Sequence, residues 1–275
     1  MEHAGSVLYE LTDHQWNTLI PFFPPNGRRG KQWKDHRVVI DGILGILSDG
    51  GRWRNLPERF GPWKTIYERF RRWSQARLWD VLLDELQLRD IRRGRINGEL
   101  RAVDASVIRA HQSAAGASKT VIPVGEPVDH ALGRSQGGFG TKVHLIAAIE
   151  EEQVLPLAVI VSPGQQHETQ QLIPLAEAVA IKGMSPEKLA GDKTCSAKWI
   201  REYLLTHGVE PVIPHQKNEP GRRGPFDRES YRWRNLIERV FDRLKWFRRV
   251  AARYEKLTIH YAGMLNLAIL YRFFL

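Results

Sequence analysis

Cysteine is nearly absent from this chain: Cys195 is the only one in 275 residues. A disulfide within the chain is therefore impossible, and a cysteine-rich zinc site is excluded as well. No run approaches 18 uninterrupted apolar residues, so no membrane span is expected. The opening Met1-Glu2-His3-Ala4 lacks the basic and apolar regions of a secretory leader. Together these absences predict a protein of the reducing cytoplasm.

Positive charge is what the chain has in excess. Lys and Arg total 41 against 31 Asp and Glu, a net charge of +10. Such a balance points to a polyanionic partner, because each neutralised phosphate releases counterions. The excess is also clustered. Residues 217–256 hold 13 Lys and Arg against 6 Asp and Glu, so +7 of the +10 lies in 40 residues. Clustering of that kind favours a binding face over general solubility. A content of 42% hydrophobic and 26% charged residues is that of an ordinary globular protein with a real core.

Residues 11–90 read as helical. Thr12 or Asp13 can cap a short first helix, which the prolines at 21, 24 and 25 end. The Gly27-Arg28-Arg29-Gly30 stretch reads as a basic loop. A second helix from Asp35 carries Val39, Ile40, Ile43, Leu44 and Leu47 as an apolar stripe, and Gly50-Gly51 stops it. Then Leu56–Phe60 reads as a short helix, Gly61 as a turn, and Pro62 as the start of a longer helix. That plan is helix-turn-helix, and Lys64, Arg69, Arg71 and Arg72 would meet phosphates or base edges. The plainer reading is a helical bundle with a solvated basic face. Another helix follows at 77–90, then a charged boundary near residue 98.

The pattern changes at Leu100. Strands are predicted at 100–108, 141–149, 154–161, 187–191 and 209–213, and a mobile glycine-rich loop at 113–140. Helices are predicted at 168–182, 196–207, 229–250 and 259–274. The first three strands should run antiparallel and the later ones parallel, through helical crossovers. The resulting α+β class is an N-terminal helical, helix-turn-helix-like domain (1–98) before a ribonuclease H-like mixed sheet with flanking helices (99–275).

Asp104 interrupts an apolar strand, where a carboxylate is costly unless it is paired or holds a cation. Asp192 ends a short strand that should lie beside the strand of Asp104, although it could equally cap a helix. Tyr231, Arg234, Glu238 and Lys245 fall at i, i+3, i+7 and i+14, within roughly 60° of one helix face. Trp233, Leu236, Val240, Leu244 and Phe247 would pack behind them. The plainer reading is a solvated face with an Arg234–Glu238 pair. No Cys or His stands at zinc spacing, so His111, His144 and His167 are expected to be structural or to lie beside the polyanion.

The Tyr-x-x-Arg-x-x-x-Glu-x-x-x-x-x-x-Lys spacing resembles the signature of bacterial insertion-sequence DDE transposases, in the branch related to insertion sequence 5. The stretch Trp53–Trp63, Val103-Asp104-Ala105-Ser106, Gly133–Leu145 and Gly164-Gln165-Gln166-His167-Glu168 are similar to that branch too, so the resemblance covers nearly the whole chain. It implies a transposase that binds terminal inverted repeats, cleaves DNA at the element's ends and transfers the 3′-OH strands to target DNA. It assigns Asp104, Asp192 and Glu238 as the catalytic, metal-binding triad for two Mg ions, with Mn able to substitute. Tyr231, Arg234 and Lys245 would hold DNA. A homo-oligomer on DNA in the nucleoid is expected, with no membrane. Without metal, the acids should repel one another and some of their pKa values should rise. The family usually has a small residue and then Tyr after Asp-Lys; here Thr194-Cys195 follow. Two other readings stay open: a DDE-type endonuclease without strand transfer, and an inactive, transposase-derived DNA-binding protein.

Overall fold

The computed structural model describes residues 9–25, 32–118, 120–151, 153–216 and 226–275. The basic loop expected at 27–30, and residues 217–225 of the basic stretch, lie outside the described residues.

The N-terminal part is helical, as expected. α1 spans Asp13–Leu19, and Thr12 with Gln15 forms a reciprocal capping box at its start. A 3-10 turn at Ile20–Phe22 carries the chain out of it. α2 spans His36–Asp49, capped by Asp35, and ends at Gly50 with φ of 66°, the left-handed geometry glycine tolerates. Leu56 leads to a single 3-10 turn at Glu58–Phe60, then Gly61, then α3 at Trp63–Gln75. The shorter arm of the expected helix-turn-helix is thus one turn long. α4 spans Leu78–Arg92.

The sheet begins with β1, Leu100–Ala110. β2 is Gly133–Ser135, β3 is Gly138–Glu150 and β4 is Gln153–Pro163. β2 was expected to be loop. It forms because Gly138, at φ 101°, closes a tight turn that pairs Gly133–Ser135 with Gly138–Gly140. Next come α5 (Thr169–Ala180), β5 (Lys188–Ala190), α6 (Lys198–Thr206) and β6 (Glu210–Val212). The spatial order is β4-β3-β1-β5-β6. Pairing is antiparallel across β4, β3 and β1, and parallel across β1, β5 and β6. This is the ribonuclease H-like arrangement read from the sequence.

The helix expected at 229–250 is shorter and broken. α7 spans Arg228–Arg232, a 3-10 turn covers Trp233–Asn235, and α8 spans Leu236–Lys245. Phe247 leaves the helix with extended backbone because its ring goes into the core, 2% exposed. α9, Arg248–Ala251, then leads to β7, Ala252–Arg253, which pairs with the end of β1. α10, Thr258–Ile269, continues as a π-helical turn to Phe274.

α5 packs on β3 and β4, α8 packs on β1 and β4, and α10 packs on α3 and α4. One hydrophobic cluster therefore runs from Leu11 to Phe274 through both helices and sheet. Polar ties reinforce it: buried Gln87 of α4 donates to the carbonyls of Pro156 and Leu157 on β4 at 2.9 Å each. No described helix is long and apolar enough to cross a membrane.

Candidate active site

The site grows from the middle of β1. Leu100, Arg101 and Ala102 pair with Lys188, Leu189 and Ala190 of β5. Two residues further along each strand stand Asp104 and Asp192, so parallel register puts the two acids at the same level. Side chains alternate along β1, and Val103 points into the core while the side chain of Asp104 keeps 18% exposure. Ala105 N–H donates to Asp104 Oδ1 at 2.9 Å.

Asp192 caps a short turn rather than α6, whose N-cap is Ala197. Its Oδ1 accepts from Thr194 N–H at 2.8 Å and from Cys195 N–H at 3.3 Å, capping the 3-10 turn Lys193–Cys195. It also faces the acid cluster, since its charge helps raise the pKa of Asp104.

Sequence reasoning missed a fourth acid, Glu168. It precedes α5 and lies 3.6 Å from Lys142 of β3 through Oε1. Thr194 Oγ1 lies 2.5 Å from both Glu168 Oε2 and Asp192 Oδ1. Glu168, Asp192 and Cys195 bring one potential ligand atom each within 4.8 Å of one another. The signal was present in Gly164–Glu168, where a carboxylate follows directly on a strand end.

The helix stripe approaches from the other side. Arg234 sits in the 3-10 turn between α7 and α8, its guanidinium 5.8 Å from the Tyr231 ring. One amino group is 3.8 Å from Asp104 Oδ2, and the other donates to Glu238 Oε1 at 2.9 Å. Arg234 thus bridges two of the three expected triad acids. Glu238 is the outer one, its side chain 56% exposed. Lys245 is exposed seven residues further on, about 10 Å along the same helix. Leu236, Val240, Leu244 and Phe247 are buried behind this stripe and Trp233 is half-buried, as the spacing required.

Electrostatics follow from this crowding. Burial pushes Asp104 up from 3.8 to about 6; Glu168 and Asp192 add to the rise, while the Ala105 N–H and Arg234 oppose it. The carboxylates' mutual repulsion marks a place where a cation would be stabilised, and oxygen donors suit a hard divalent ion. Cys195 does not compete in its thiolate form, because burial and the two nearby carboxylates push its thiol up to about 12. His144 is 2% exposed, bonds Ser162 Oγ at 2.7 Å and is held neutral by burial, its pKa near 4. His167 bonds Thr169 Oγ1 at 2.8 Å, and His111 lies beyond the far end of β1.

The expected contact residues of α3 divide. Lys64 and Arg72 are exposed, and Arg71 is half-buried and paired with Glu68 at 3.1 Å. Arg69 is only 9% exposed. Its guanidinium lies 4.7 Å from the Trp33 ring and 5.3 Å from Trp73, with Nη1 3.0 Å from His36 Nδ1. That environment makes Arg69 a packing residue of the bundle.

Two family models match the chain. "Putative transposase of IS4/5 family" matches residues 11–83, and "Transposase DDE domain" matches residues 97–273, which include Asp104, Glu168, Asp192 and Glu238. The chain belongs to the DDE transposase family. The DDE transposase domain is that of an enzyme acting on DNA. Among its relatives is "Uncharacterized protein y4sN" of Sinorhizobium fredii (strain NBRC 101917 / NGR234), 36% identical over 111 residues, covering 40% of this chain and 83% of that one. Another is the putative transposase for insertion sequence element IS402 of Burkholderia cepacia, 29% identical over 124 residues, covering 42% of this chain. The transposase spans about half, 54%, of that relative's length. Its likeness to solved structures is remote. A piggyBac transposase synaptic complex with hairpin DNA gives a TM-score of 0.42 at 10% identity, covering 98% of this chain and 66% of that one. A pre-cleavage Mos1 transpososome gives 0.26 at 14%, covering 90% and 79%.

Proposed function

We propose that this DDE transposase binds the terminal repeats of an insertion sequence, cuts at their ends and joins the freed 3′-OH strands to target DNA. Asp104, Asp192 and Glu238 hold two Mg ions in this reading, with Mn able to replace them. Residues 1–98 serve recognition and 99–275 the chemistry. A homo-oligomer pairs the two ends. The observation that carries the reading is the Arg234 bridge between Asp104 and Glu238, beside the carboxylates of Asp192 and Glu168.

Bound divalent ions would activate the attacking oxygen and stabilise the leaving one. The chain's own residues prepare for them. Asp104 is raised in pKa and so is poised to exchange a proton for a cation. Arg234 offsets the charge of Asp104 and Glu238 in the metal-free state. The planar fork of Arg234 also suits a phosphate. Tyr231 stays beside it as a ring surface, and Lys245 meets the backbone further along the strand. Lys64, Arg71 and Arg72 contribute to the DNA-binding surface of α3.

The test combines end DNA, a target plasmid, Mg and the full chain. Joined products that disappear in Asp104→Ala support the reading. Cleavage without joining would leave an endonuclease, and end binding without cleavage would leave a DNA-binding protein. Full cleavage by Asp104→Ala would remove the proposed site.

A further inference from the structure

A second place in the molecule has the chemistry of a nucleic-acid site. A cavity of about 1130 Å³ lies between the helical layer and the far end of the sheet. One wall comes from the loop after α2 and from α3, the other from the segment after β1 and from the stretch joining β7 to α10. His111 follows the end of β1, seven residues beyond Asp104, so the cavity lies about 23 Å from the acid cluster along that strand. Its volume is at or above the upper end of the range for single small ligands, about 300–1,000 Å³, which favours a segment of polymer.

The lining is cationic and aromatic. Arg52, Arg71, Arg249 and Lys256 face one acid, Glu255, and Glu255 already accepts from Arg249 Nε at 2.6 Å. Arg71 is held by Glu68. Arg52 and Lys256 are exposed and, among the described residues, neither forms an ion pair with a carboxylate. Flat surfaces lie beside these charges. The His111 and Tyr254 rings are 4.9 Å apart and 30° from parallel. The Arg249 guanidinium is 5.1 Å from the Tyr254 ring and 5.6 Å from Trp53, which is half-buried. A polar group in the same lining lacks its partner. His260 is 7% exposed, and its Nε2 is buried with no hydrogen bond among the described residues. Burial holds that ring neutral, its pKa near 4, with Arg71 adding to the effect. A neutral imidazole nitrogen can donate to or accept from a base edge, and leaving it unpaired is costly.

We propose that this cavity holds an unpaired nucleotide of a DNA strand, with its phosphates on Arg52 and Lys256 and its base against the Tyr254–His111 and Trp53 surfaces. Stacking on protein rings needs a base already out of its duplex, which selects single-stranded over paired DNA. His260 Nε2 supplies the polar contact to the base. The proposal rests on the reading of the chain as a DNA-acting enzyme, but not on the acid triad.

The experiment uses the full chain in EDTA with a fluorescein-labelled 20-mer of thymidylate, read by anisotropy across a salt series. Arg52→Glu and Lys256→Glu should each weaken binding several-fold and flatten the log–log salt dependence by about 0.7, or about 1.4 together. Lys198→Glu, the same charge change on exposed α6, should leave the slope within about 0.2 of the parent's, since it removes no phosphate contact. Tyr254→Ala should weaken binding at unchanged slope. Should that variant fail to fold, photocrosslinking of an iododeoxyuridine-substituted 20-mer to the unmodified chain replaces it, with adducts expected at His111, Tyr254 or Trp53. Unchanged slopes in Arg52→Glu/Lys256→Glu, or adducts only elsewhere, overturn the proposal. So does equal affinity for free thymidine monophosphate, which would make the cavity a mononucleotide site. Asp104→Asn separates the two readings: it should keep 20-mer binding while losing cleavage of end DNA.

Discussion

Replacing Asp104 by Asn should abolish Mg-dependent cleavage and make the metal-free transposase more stable. The carboxyl rises from 3.8 to about 6 in the folded chain. At about 1.4 kcal/mol per tenfold, that is about 3 kcal/mol of cost for holding the charge in place. The side chain is only 18% exposed, so solvent screening removes little of it. The sign follows from the direction. A carboxyl whose folded pKa is raised costs nothing below its unfolded value near 3.8, and its cost grows between pH 4 and 6. Above pH 6 the cost is complete. The gain from Asp104→Asn should therefore be small at pH 4, about 0.5 kcal/mol, and reach a maximum of about 3 kcal/mol at pH 7 to 8. For a chain of this size that corresponds to several degrees in melting temperature. Thermal melts in EDTA across that pH range measure it. Mg should then raise the melting temperature of the parent at pH 7.5 far more than that of the variant. A variant less stable than the parent at pH 7.5, or a gain independent of pH, would refute the electrostatic reasoning.

Glu168→Gln removes a charge that raises Asp104 and sits beside Asp192. Mg-dependent cleavage should fall about 10- to 100-fold, as for groups that orient or tune ligands, and the acid limb of its pH profile should move to lower pH. Unchanged activity and profile would make Glu168 a structural partner of Thr194 only. Cys195, 3% exposed and with its thiol near 12, should react with a thiol reagent at pH 8 only after denaturation. Fast labelling of the native chain would contradict that burial. Gly140→Ala would put a Cβ 2.4 Å from the Ile108 carbonyl oxygen across the β1–β3 pair. It should cost more than about 2 kcal/mol in a urea titration, since the contact is with backbone.

Much of the fold was legible because its signals are local. Alternation and length gave the β3–β4 hairpin, and Thr12, Asp35 and Gly50 mark helix ends at the positions where caps occur. Errors came where distant contacts decide local shape. Nothing local announces that the helix ends at Lys245; the chain turns there because Phe247 must enter the core and residues 252–253 must reach the end of β1. Arg69 reads as one more basic residue on α3, yet Trp33 and Trp73 enclose it from other segments. In the site, spacing gave Arg234 and Glu238 because the 3-10 turn at Trp233–Asn235 runs directly into α8 and keeps residues four apart on one side. Glu168 escaped because its importance depends on Thr194 and Lys142, each more than 20 residues away.

The departure at Thr194-Cys195 gains a physical meaning from these contacts. Thr194 Oγ1 stands between Asp192 and Glu168, two carboxylates that would otherwise repel across the mouth of the cluster. One hydroxyl can donate to only one of them at a time, so the other carboxylate is served by a neighbouring cation. Lys142, 3.6 Å from Glu168, supplies part of that charge. On the other side, Arg234 does the same for Asp104 and Glu238. The acids are thus balanced on both flanks by groups that a divalent ion would displace, and a hydroxyl at position 194 belongs to that balance. The residue after Lys193 therefore adjusts the resting charge of the cluster rather than removing a donor from it.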